Sequence, residues 1–285
     1  MRAPSFRLGL LICILSIPVF FANGCSTDAS KTKVLASVAE VSPAAAGGAT
    51  IEIKPNSPAD TVRAFYTALR EKKFREAIFL TNLRPAIEGM TDAELKEFEG
   101  EFNAIAKHVP KEIQINGEIV SGSTATVTAR LPTEDLDKQE TQQIKLRKNG
   151  DVWMILTVDE SAEKRIREEG KNYFLTLRIE THQDEARDML DRVAKAQMAF
   201  AATNQGNYGD VEALINAQFL PDDIRSSEST GYRYSVTVTS DKKRYSASAV
   251  PAVYGKTGKR SFAIELDERG QPRLVSRDDG AAKTK

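Results

Sequence analysis

Few side chains in this sequence have the types and spacing that chemistry requires. Cys13 and Cys25 are the two cysteines, and His108 and His182 are the two histidines. A zinc site needs several His or Cys ligands, more than the chain supplies once Cys13 is removed with a signal peptide. The sequence has no H-E-x-x-H motif, no G-x-S-x-G motif and no glycine-rich phosphate loop. We therefore expect no metal, no cofactor and no catalytic activity.

The histidines and carboxylates fall where ordinary surface residues are expected. His108 is predicted in the last turn of a helix, and His182 in the polar approach to a longer one. Acidic residues at 92, 94, 97, 99 and 101 mostly follow an exposed helical face. Two acidic pairs, Asp222–Asp223 and Asp267–Glu268, fall at predicted turns. We interpret all of these groups as solvated.

The N-terminal segment has the order of a secretory signal peptide. Arg2 and Arg7 precede an apolar run over residues 8–21, and small residues lead from Ala22 to Cys25. The run has about 14 residues, fewer than the ~20 that a membrane-spanning helix needs. We therefore predict a signal peptide over residues 1–24.

The residues before Cys25 resemble the signal of bacterial lipoproteins, in which the cysteine becomes the lipidated first residue. Gly24 fits that signal, whereas Ala22 stands where leucine is usual. The resemblance implies a membrane anchor at a lipidated Cys25; the alternative is an ordinary cleaved signal before a stray cysteine. Ser26 follows Cys25, and in lipoproteins of two-membraned bacteria a serine after the lipidated cysteine favours export to the outer membrane over retention in the inner one. The expected location is therefore periplasm-facing and lipid-anchored.

Length, charge and composition limit the domain number and the partners of the rest of the chain. The 285 residues less the 24 of the signal leave 261, enough for two domains. Loss of Arg2 and Arg7 leaves 38 basic against 40 acidic side chains, a net charge near −2. Bulk charge therefore recruits neither nucleic acid nor an anionic membrane. Residues 25–56, rich in Ala, Ser, Thr and Gly, are predicted to form a flexible tether that reaches roughly 30 Å.

The first predicted globular body, residues 57–160, is predicted to contain helices followed by strands. Ser57 and Pro58 begin a helix, Phe74 lies in a second, and a third runs from a Thr91–Glu94 capping box towards Pro110. Period-two stretches follow, with a hairpin turn at 149–150. The last stretch, residues 152–158, is apolar on both faces, which predicts a central or helix-covered strand.

This body resembles the nuclear-transport-factor-2-like (cystatin-like) fold of exported lipoproteins, a cone-shaped α+β domain. The resemblance rests on PADTVRAFYTAL at 58–69, like the opening helix of the family, and NGDVWMI at 149–155, like its closing strand. Enzymes of the fold place Asp, His or Tyr inside the cone. Here the inward candidates are apolar, which favours a filled core or a pocket for an apolar ligand: Phe65, Ile144, Trp153 and Met154.

A helical connector is predicted over residues 161–183, and a second α+β body over residues 184–276. An apolar stripe marks a long amphipathic helix: Ala186, Met189, Leu190, Val193, Ala196 and Phe200. Asp210 caps a short helix, and strands follow at 232–238, 245–249 and 262–266. Residues 277–285 are predicted to form a disordered tail.

The second body resembles the globular head of type IV pilins and type II secretion pseudopilins, in which a helix packs on a small antiparallel sheet. The matching residues lie at 194–214, 231–234 and 261–264, with the turn at 267–270. The resemblance implies a docking partner in a pilus or secretion apparatus. It also allows calcium binding in acidic loops as an alternative use of Asp222–Asp223 and Asp267–Glu268. The long apolar first helix of pilins is absent from the sequence before residue 184, so filament assembly is not expected.

The tyrosines allow two interpretations. Tyr208, Tyr232, Tyr234, Tyr245 and Tyr254 could form a recognition face, since Tyr is enriched at interfaces. Their period-two placement instead favours packing of Tyr232, Tyr234 and Tyr245 under the helix of the second body. The sequence as a whole predicts a non-catalytic envelope protein with a protein partner; an apolar-ligand-binding protein and a cone-fold enzyme are the alternatives.

Overall fold

The computed structural model describes residues 54–132, 139–227 and 230–278. The chain divides into two compact units, unit 1 within Met1–Lys171 and unit 2 within Asn172–Lys285. Each unit contains helices and one four-stranded antiparallel sheet, so the predicted α+β class is confirmed. None of the helices in the described ranges is both long and apolar enough to span a membrane.

Unit 1 begins with a helix whose start the sequence predicts correctly. Helix α1 spans Pro58–Arg70, and the Ser57 hydroxyl accepts a hydrogen bond from the backbone N–H of Asp60. Pro58 occupies the first turn, where its missing N–H removes no helical hydrogen bond. One face is buried in the core of the unit: Val62, Phe65, Tyr66 and Leu69.

Short helices follow: α2 Phe74–Phe79, α3 Arg84–Glu88, α4 Asp92–Lys96 and α5 Glu99–Ala106. The Thr91–Glu94 capping box is present, as predicted. The predicted single third helix is wrong, because the chain breaks at Glu97–Phe98 into α4 and α5. This break buries the ring of Phe98 beside Phe102, with ring centroids 6.4 Å apart. Helix α3 is absent from the sequence prediction.

The first sheet has the order β1-β2-β3-β4, all antiparallel. Its strands are β1 Gln114–Ser121, β2 Thr124–Pro132, β3 Gln139–Asn149 and β4 Val152–Ile155. The last strand was predicted to be central or covered by a helix. It is not central, because β4 lies at the sheet edge, but helix α1 packs against it. Trp153 and Ile155 face the core, whereas Val152 is 61% exposed on the other face.

A helix α6, Glu160–Glu169, follows the sheet and is capped by Asp159. Gly170 ends it with a φ of 52° and a ψ of −131°, a conformation that only glycine adopts readily. After a 3₁₀ turn at Gly170–Asn172, α7 runs over Tyr173–Thr203. The second half of the predicted connector 161–183 therefore belongs to the long helix of unit 2.

Unit 2 packs α7 on its sheet. Helix α8 spans Val211–Asn216, a 3₁₀ turn spans Asp222–Arg225, and the strands are β5 Tyr232–Val238, β6 Tyr245–Pro251, β7 Arg260–Leu266 and β8 Pro272–Asp278. The sheet order is β5-β6-β7-β8. The predicted stripe of α7 is buried except for the half-buried Phe200, and it packs with strand residues that include Ala247, Ala249 and Phe262. Strand β8 is absent from the sequence prediction. It includes Arg277, which the sequence analysis places in the predicted tail.

Candidate functional site

The predicted lipidation site, Cys25, lies outside the described residues, as do the signal peptide and most of the tether. The residues that the structure does describe offer two histidines, several acidic turns, a group of tyrosines, one buried carboxylate and a surface cleft.

The histidines make local contacts in their own units. Nδ1 of His108, just after α5, lies 2.9 Å from the carbonyl oxygen of Ala104. His182 lies within α7 rather than in an approach to it, and its Nδ1 is 3.2 Å from the carbonyl oxygen of Thr257. Its ring also covers Gly231, where a Cβ would lie 2.3 Å from Nδ1 and φ is +68°. Only glycine fits under this ring.

The acidic turns are occupied by local partners. Arg225 pairs with Asp222 and, at 2.5 Å, with Glu212. Asp267 Oδ1 accepts hydrogen bonds from the backbone N–H groups of Arg269 and Gln271, both at 2.8 Å. Within residues 54–132, 139–227 and 230–278, no group of three or more His, Cys, Asp or Glu side chains could hold a metal ion. The calcium alternative thus gains no support from these ranges.

Two of the tyrosines, Tyr232 and Tyr245, pack in the core of unit 2 as the packing interpretation predicts. Tyr232 is fully buried, and its hydroxyl donates a 2.7 Å hydrogen bond to the carbonyl oxygen of Arg260. Tyr245 is buried with its ring 4.8 Å from that of Tyr208, and burial raises its pKa to about 12. Tyr234 is half-buried, and burial also raises its pKa. The phenols of Tyr234 and Tyr245 therefore stay neutral at pH 7, and Tyr232, Tyr234 and Tyr245 do not form an exposed recognition face.

A buried polar network in unit 1 joins the segment between α2 and α3, the segment after β4, strand β3 and helix α6. Asn82, 2% exposed, accepts hydrogen bonds through Oδ1 from the backbone N–H and the hydroxyl of Thr157, at 2.9 and 3.0 Å. Its Nδ2 donates to the carbonyl oxygen of Val158 at 2.9 Å and to Glu163 at 3.4 Å. Glu163 is the buried acidic residue in the described part of the chain.

The charge state of Glu163 is set by two opposing effects. Desolvation raises its pKa, but the hydrogen bond and charge of Arg147, the contact with Asn82 and the charge of Arg167 together lower it below the ordinary value. The guanidinium groups lie 2.7 Å and 3.1 Å from the carboxylate. A carboxylate held ionised in this way cannot act as a general acid at neutral pH. The hydrogen bonds of the network fix the segment after β4 against the start of α3 and against α6.

The surface of unit 1 carries a cleft of about 350 Å³ between the α1–α2 turn, α2 and the α4–α5 segment. Its lining combines charges of both signs with two apolar side chains: Lys72, Lys73, Phe74, Arg75, Glu76, Asp92, Leu95, Lys96 and Glu99. Phe74 is buried at its base and Leu95 is half-buried. The four inward residues predicted for the cone do not line it.

Arg75 holds the two sides of the cleft together. Its guanidinium donates to the carbonyl oxygens of Ile87 at 3.2 Å and Met90 at 2.9 Å, and it pairs with Asp92 at 3.0 Å. Three acceptors on one fork fix the start of α4 against α2. The opposite rim turns sharply at Lys72, which has a φ of 58°.

The polar groups that line the cleft are lysine, arginine and carboxylate side chains. Its lining residues include no His, Cys, Tyr or Ser. The hydrogen bond and charge of Glu71, with the charge of Glu76, raise the pKa of Lys73, so this amine stays cationic. The sequence did not predict the cleft. Arg75 shapes it by donating to backbone carbonyls, and every residue has a backbone carbonyl, so no motif in the sequence indicates these contacts.

Comparisons with known proteins give distant likenesses alone. No family model matches this sequence, and no curated protein is significantly similar to it. A Campylobacter jejuni protein described provisionally as a nuclear-transport-factor-2-like transpeptidase is 17% identical, with 35% of this chain and 96% of that chain covered and a TM-score of 0.25. A SEC-C motif containing protein from Rhodopseudomonas palustris is 19% identical over 35% of this chain and 76% of its own, with a TM-score of 0.25. A de novo designed protein of the nuclear-transport-factor-2 fold is 17% identical over 40% of this chain and 90% of its own, with a TM-score of 0.21. Such likenesses assign neither a family nor an activity to this chain.

Proposed function

We propose that this protein is a lipid-anchored, non-catalytic protein of the cell envelope that binds a protein partner through the cleft of unit 1. The cleft is the observation that carries the proposal. It combines a buried apolar base at Phe74 with a rim of ionised side chains. An apolar centre inside a polar rim is the usual arrangement of a protein interface.

The charges of the rim support a protein partner rather than a small molecule. Within the described part of the chain, Lys72 and Lys96 make no ion pair, while Arg75 and Lys73 pair with Asp92 and Glu71. Two cations are thus available to pair with carboxylates of a partner, as expected for a surface that selects by charge complementarity.

The membrane anchor is supported by the sequence around Cys25 and is tested separately. Metabolic labelling with a clickable palmitate should label the wild-type protein and leave Cys25→Ser unlabelled. The labelled protein should also fractionate with the outer membrane, as Ser26 suggests. Absence of label from wild-type protein in its native membranes would contradict the anchor and leave the cleft proposal standing.

The cleft is tested by photocrosslinking in native membranes. A benzoylphenylalanine at position 96, inside the cleft, should crosslink to a protein partner that mass spectrometry can identify. The same residue at position 107, exposed but outside the cleft lining, is the matched control. The charge reversals Lys72→Glu and Lys96→Glu should reduce crosslinking. Equal yields from positions 96 and 107 would contradict the role of the cleft.

We further propose that the partner belongs to a pilus or type II secretion apparatus. This finer proposal rests on the resemblance of residues 184–276 to pilin heads, and the fold alone is weak evidence for function. A photocrosslinker at Phe219, 40% exposed in unit 2, tests whether that unit contacts such components. If the crosslinkers at positions 96 and 219 both recover proteins unrelated to a pilus or secretion apparatus, this finer proposal is wrong. Binding of an apolar ligand in the cone stays a prediction.

A further inference from the structure

The end of β6 and the loop that leads to β7 expose a group of large apolar side chains in unit 2. Val250 is 42% exposed, Val253 is 50% exposed and Tyr254 is 42% exposed. All three lie within five residues of one another in the chain. Clustered exposure of this kind marks an interaction site more often than single exposed residues do.

Backbone hydrogen bonds organise the loop that carries Val253 and Tyr254. The backbone N–H of Thr257 donates to the carbonyl oxygen of Val253 at 2.9 Å, and that of Gly255 donates to the carbonyl oxygen of Gly258 at 2.8 Å. Helix α7 also contacts the loop, because the side-chain oxygen of Gln183 accepts a 3.1 Å hydrogen bond from the backbone N–H of Lys259. Val253 and Tyr254 are exposed within this hydrogen-bonded loop.

Basic side chains lie near the apolar group in the chain and in the sheet register. Residues 250–261 include Lys256, Lys259 and Arg260, all exposed, and no Asp or Glu. Arg233 lies opposite Val250 in the β5–β6 register and donates to the carbonyl oxygen of Ala252 at 2.9 Å. Asp278 lies opposite Arg260 in the β7–β8 register and offsets one of these charges. Among these residues, four basic side chains stand against one acidic side chain, although the chain as a whole is close to neutral.

We propose that the β6–β7 loop binds the surface of an anionic lipid bilayer, with Val253 and Tyr254 entering the interface and the lysines facing the headgroups. Tyr is favoured at the level of lipid headgroups, and each Lys or Arg near an anionic surface adds to the attraction. Apolar side chains with cations beside them are the combination that interfacial binding requires. This inference does not depend on acylation of Cys25.

The test uses the chain from Ser26 to Lys285, which keeps every described residue and lacks the signal peptide and any lipid. The protein should co-sediment with vesicles of phosphatidylglycerol and phosphatidylcholine, and not with phosphatidylcholine alone. Added salt should weaken the binding, because charges at an exposed surface are screened. Failure to bind the anionic vesicles would overturn the proposal without affecting the cleft or the acyl anchor.

Variants at the two ends of the same sheet distinguish the loop from general attraction. Lys256→Gln and Lys259→Gln should each weaken binding about fivefold. Lys242→Gln and Lys243→Gln, in the β5–β6 turn at the opposite end of the strands, should leave it unchanged. Equal losses from both pairs would show diffuse attraction and contradict the assignment to the loop.

Insertion is tested with a single fluorescent label. The chain from Ser26 has no cysteine, since Cys13 and Cys25 both precede it. A polarity-sensitive dye on Val253→Cys should shift to the blue with anionic vesicles, whereas the same dye on Met198→Cys, 54% exposed on α7, should not. An unshifted dye at Val253, or equal shifts at both positions, would contradict insertion of the loop.

Discussion

Each unit fastens one of its loops through a buried side-chain amide, but the two amides lie in different electrostatic surroundings. In unit 2, the fully buried Gln197 binds both backbone groups of Gly209, with Nε2 2.6 Å from the carbonyl oxygen and Oε1 3.0 Å from the nitrogen. In unit 1, Asn82 binds the backbone of residues 157–158 and also donates to the carboxylate of Glu163.

The comparison shows two ways of satisfying a buried amide. The side-chain amide of Gln197 and the backbone of Gly209 satisfy each other with two hydrogen bonds, and neither group titrates. The Asn82 network ends on an ionised carboxylate whose partners, Arg147 and Arg167, are 38% and 62% exposed at the side chain. We therefore expect the stability of unit 1 to depend on this carboxylate at low pH, and the Gln197 contact to be indifferent to pH.

The largest effect is expected from Asn82→Leu. The substitution removes the partner of the Thr157 N–H and of the Val158 carbonyl in a buried setting, and unpaired groups of this kind each cost on the order of 1–3 kcal/mol. We expect a loss of about 3 kcal/mol in the free energy of unfolding of unit 1. Urea unfolding followed by the fluorescence of Trp153, the single tryptophan, reports this unit.

The matched control is Asn103→Leu. Asn103 is half-buried, and its Oδ1 has no hydrogen-bond partner within the described residues. Its replacement should cost less than 1 kcal/mol, on the order of an ordinary surface change. Similar losses from both asparagine variants would show that the Asn82 contacts add nothing beyond side-chain volume.

Gln197→Leu should destabilise unit 2 by about 2 kcal/mol, because it leaves both the N–H and the carbonyl of Gly209 without their partner. The loss should be the same at pH 7 and pH 4.5. Hydrogen exchange of the peptide that covers residues 204–210 should accelerate in the variant. Unchanged protection of that peptide would contradict a fastening role for Gln197.

Local signals allowed the sequence to predict much of the fold. Ser57, Thr91 and Asp210 each cap a helix in the structure, because an N-cap depends on residues only three positions away. The alternation of 125, 127, 129 and 131 correctly predicted the buried face of β2. The two-unit α+β class follows from such signals, since each fixes one element without reference to distant parts of the chain.

Long-range contacts were not predictable in this way. Asn82 and Thr157 are 75 residues apart, and nothing near either residue indicates the pairing. Strand β4 carries apolar residues on both faces, yet it lies at an edge and leaves Val152 exposed, because sheet order is decided by pairing rather than composition. Strand β8 has no alternation of burial to reveal it. The cleft depends on the same kind of contact, through Arg75.

Glu163→Gln should have the smallest effect and the clearest dependence on pH. The folded-state pKa of Glu163 lies below the ordinary 4.5, so its ionised form stabilises unit 1 above that pH and the stabilisation disappears as the pH falls through the folded pKa. At pH 7 the variant should lose about 1 kcal/mol, because a neutral amide binds Arg147 less strongly than a carboxylate does. Below the folded pKa, wild type and variant should have equal stability by Trp153 fluorescence. A difference that stays constant between pH 7 and pH 3 would mean that packing, and not charge, carries the contribution of Glu163, and the contrast with Gln197 would then be wrong.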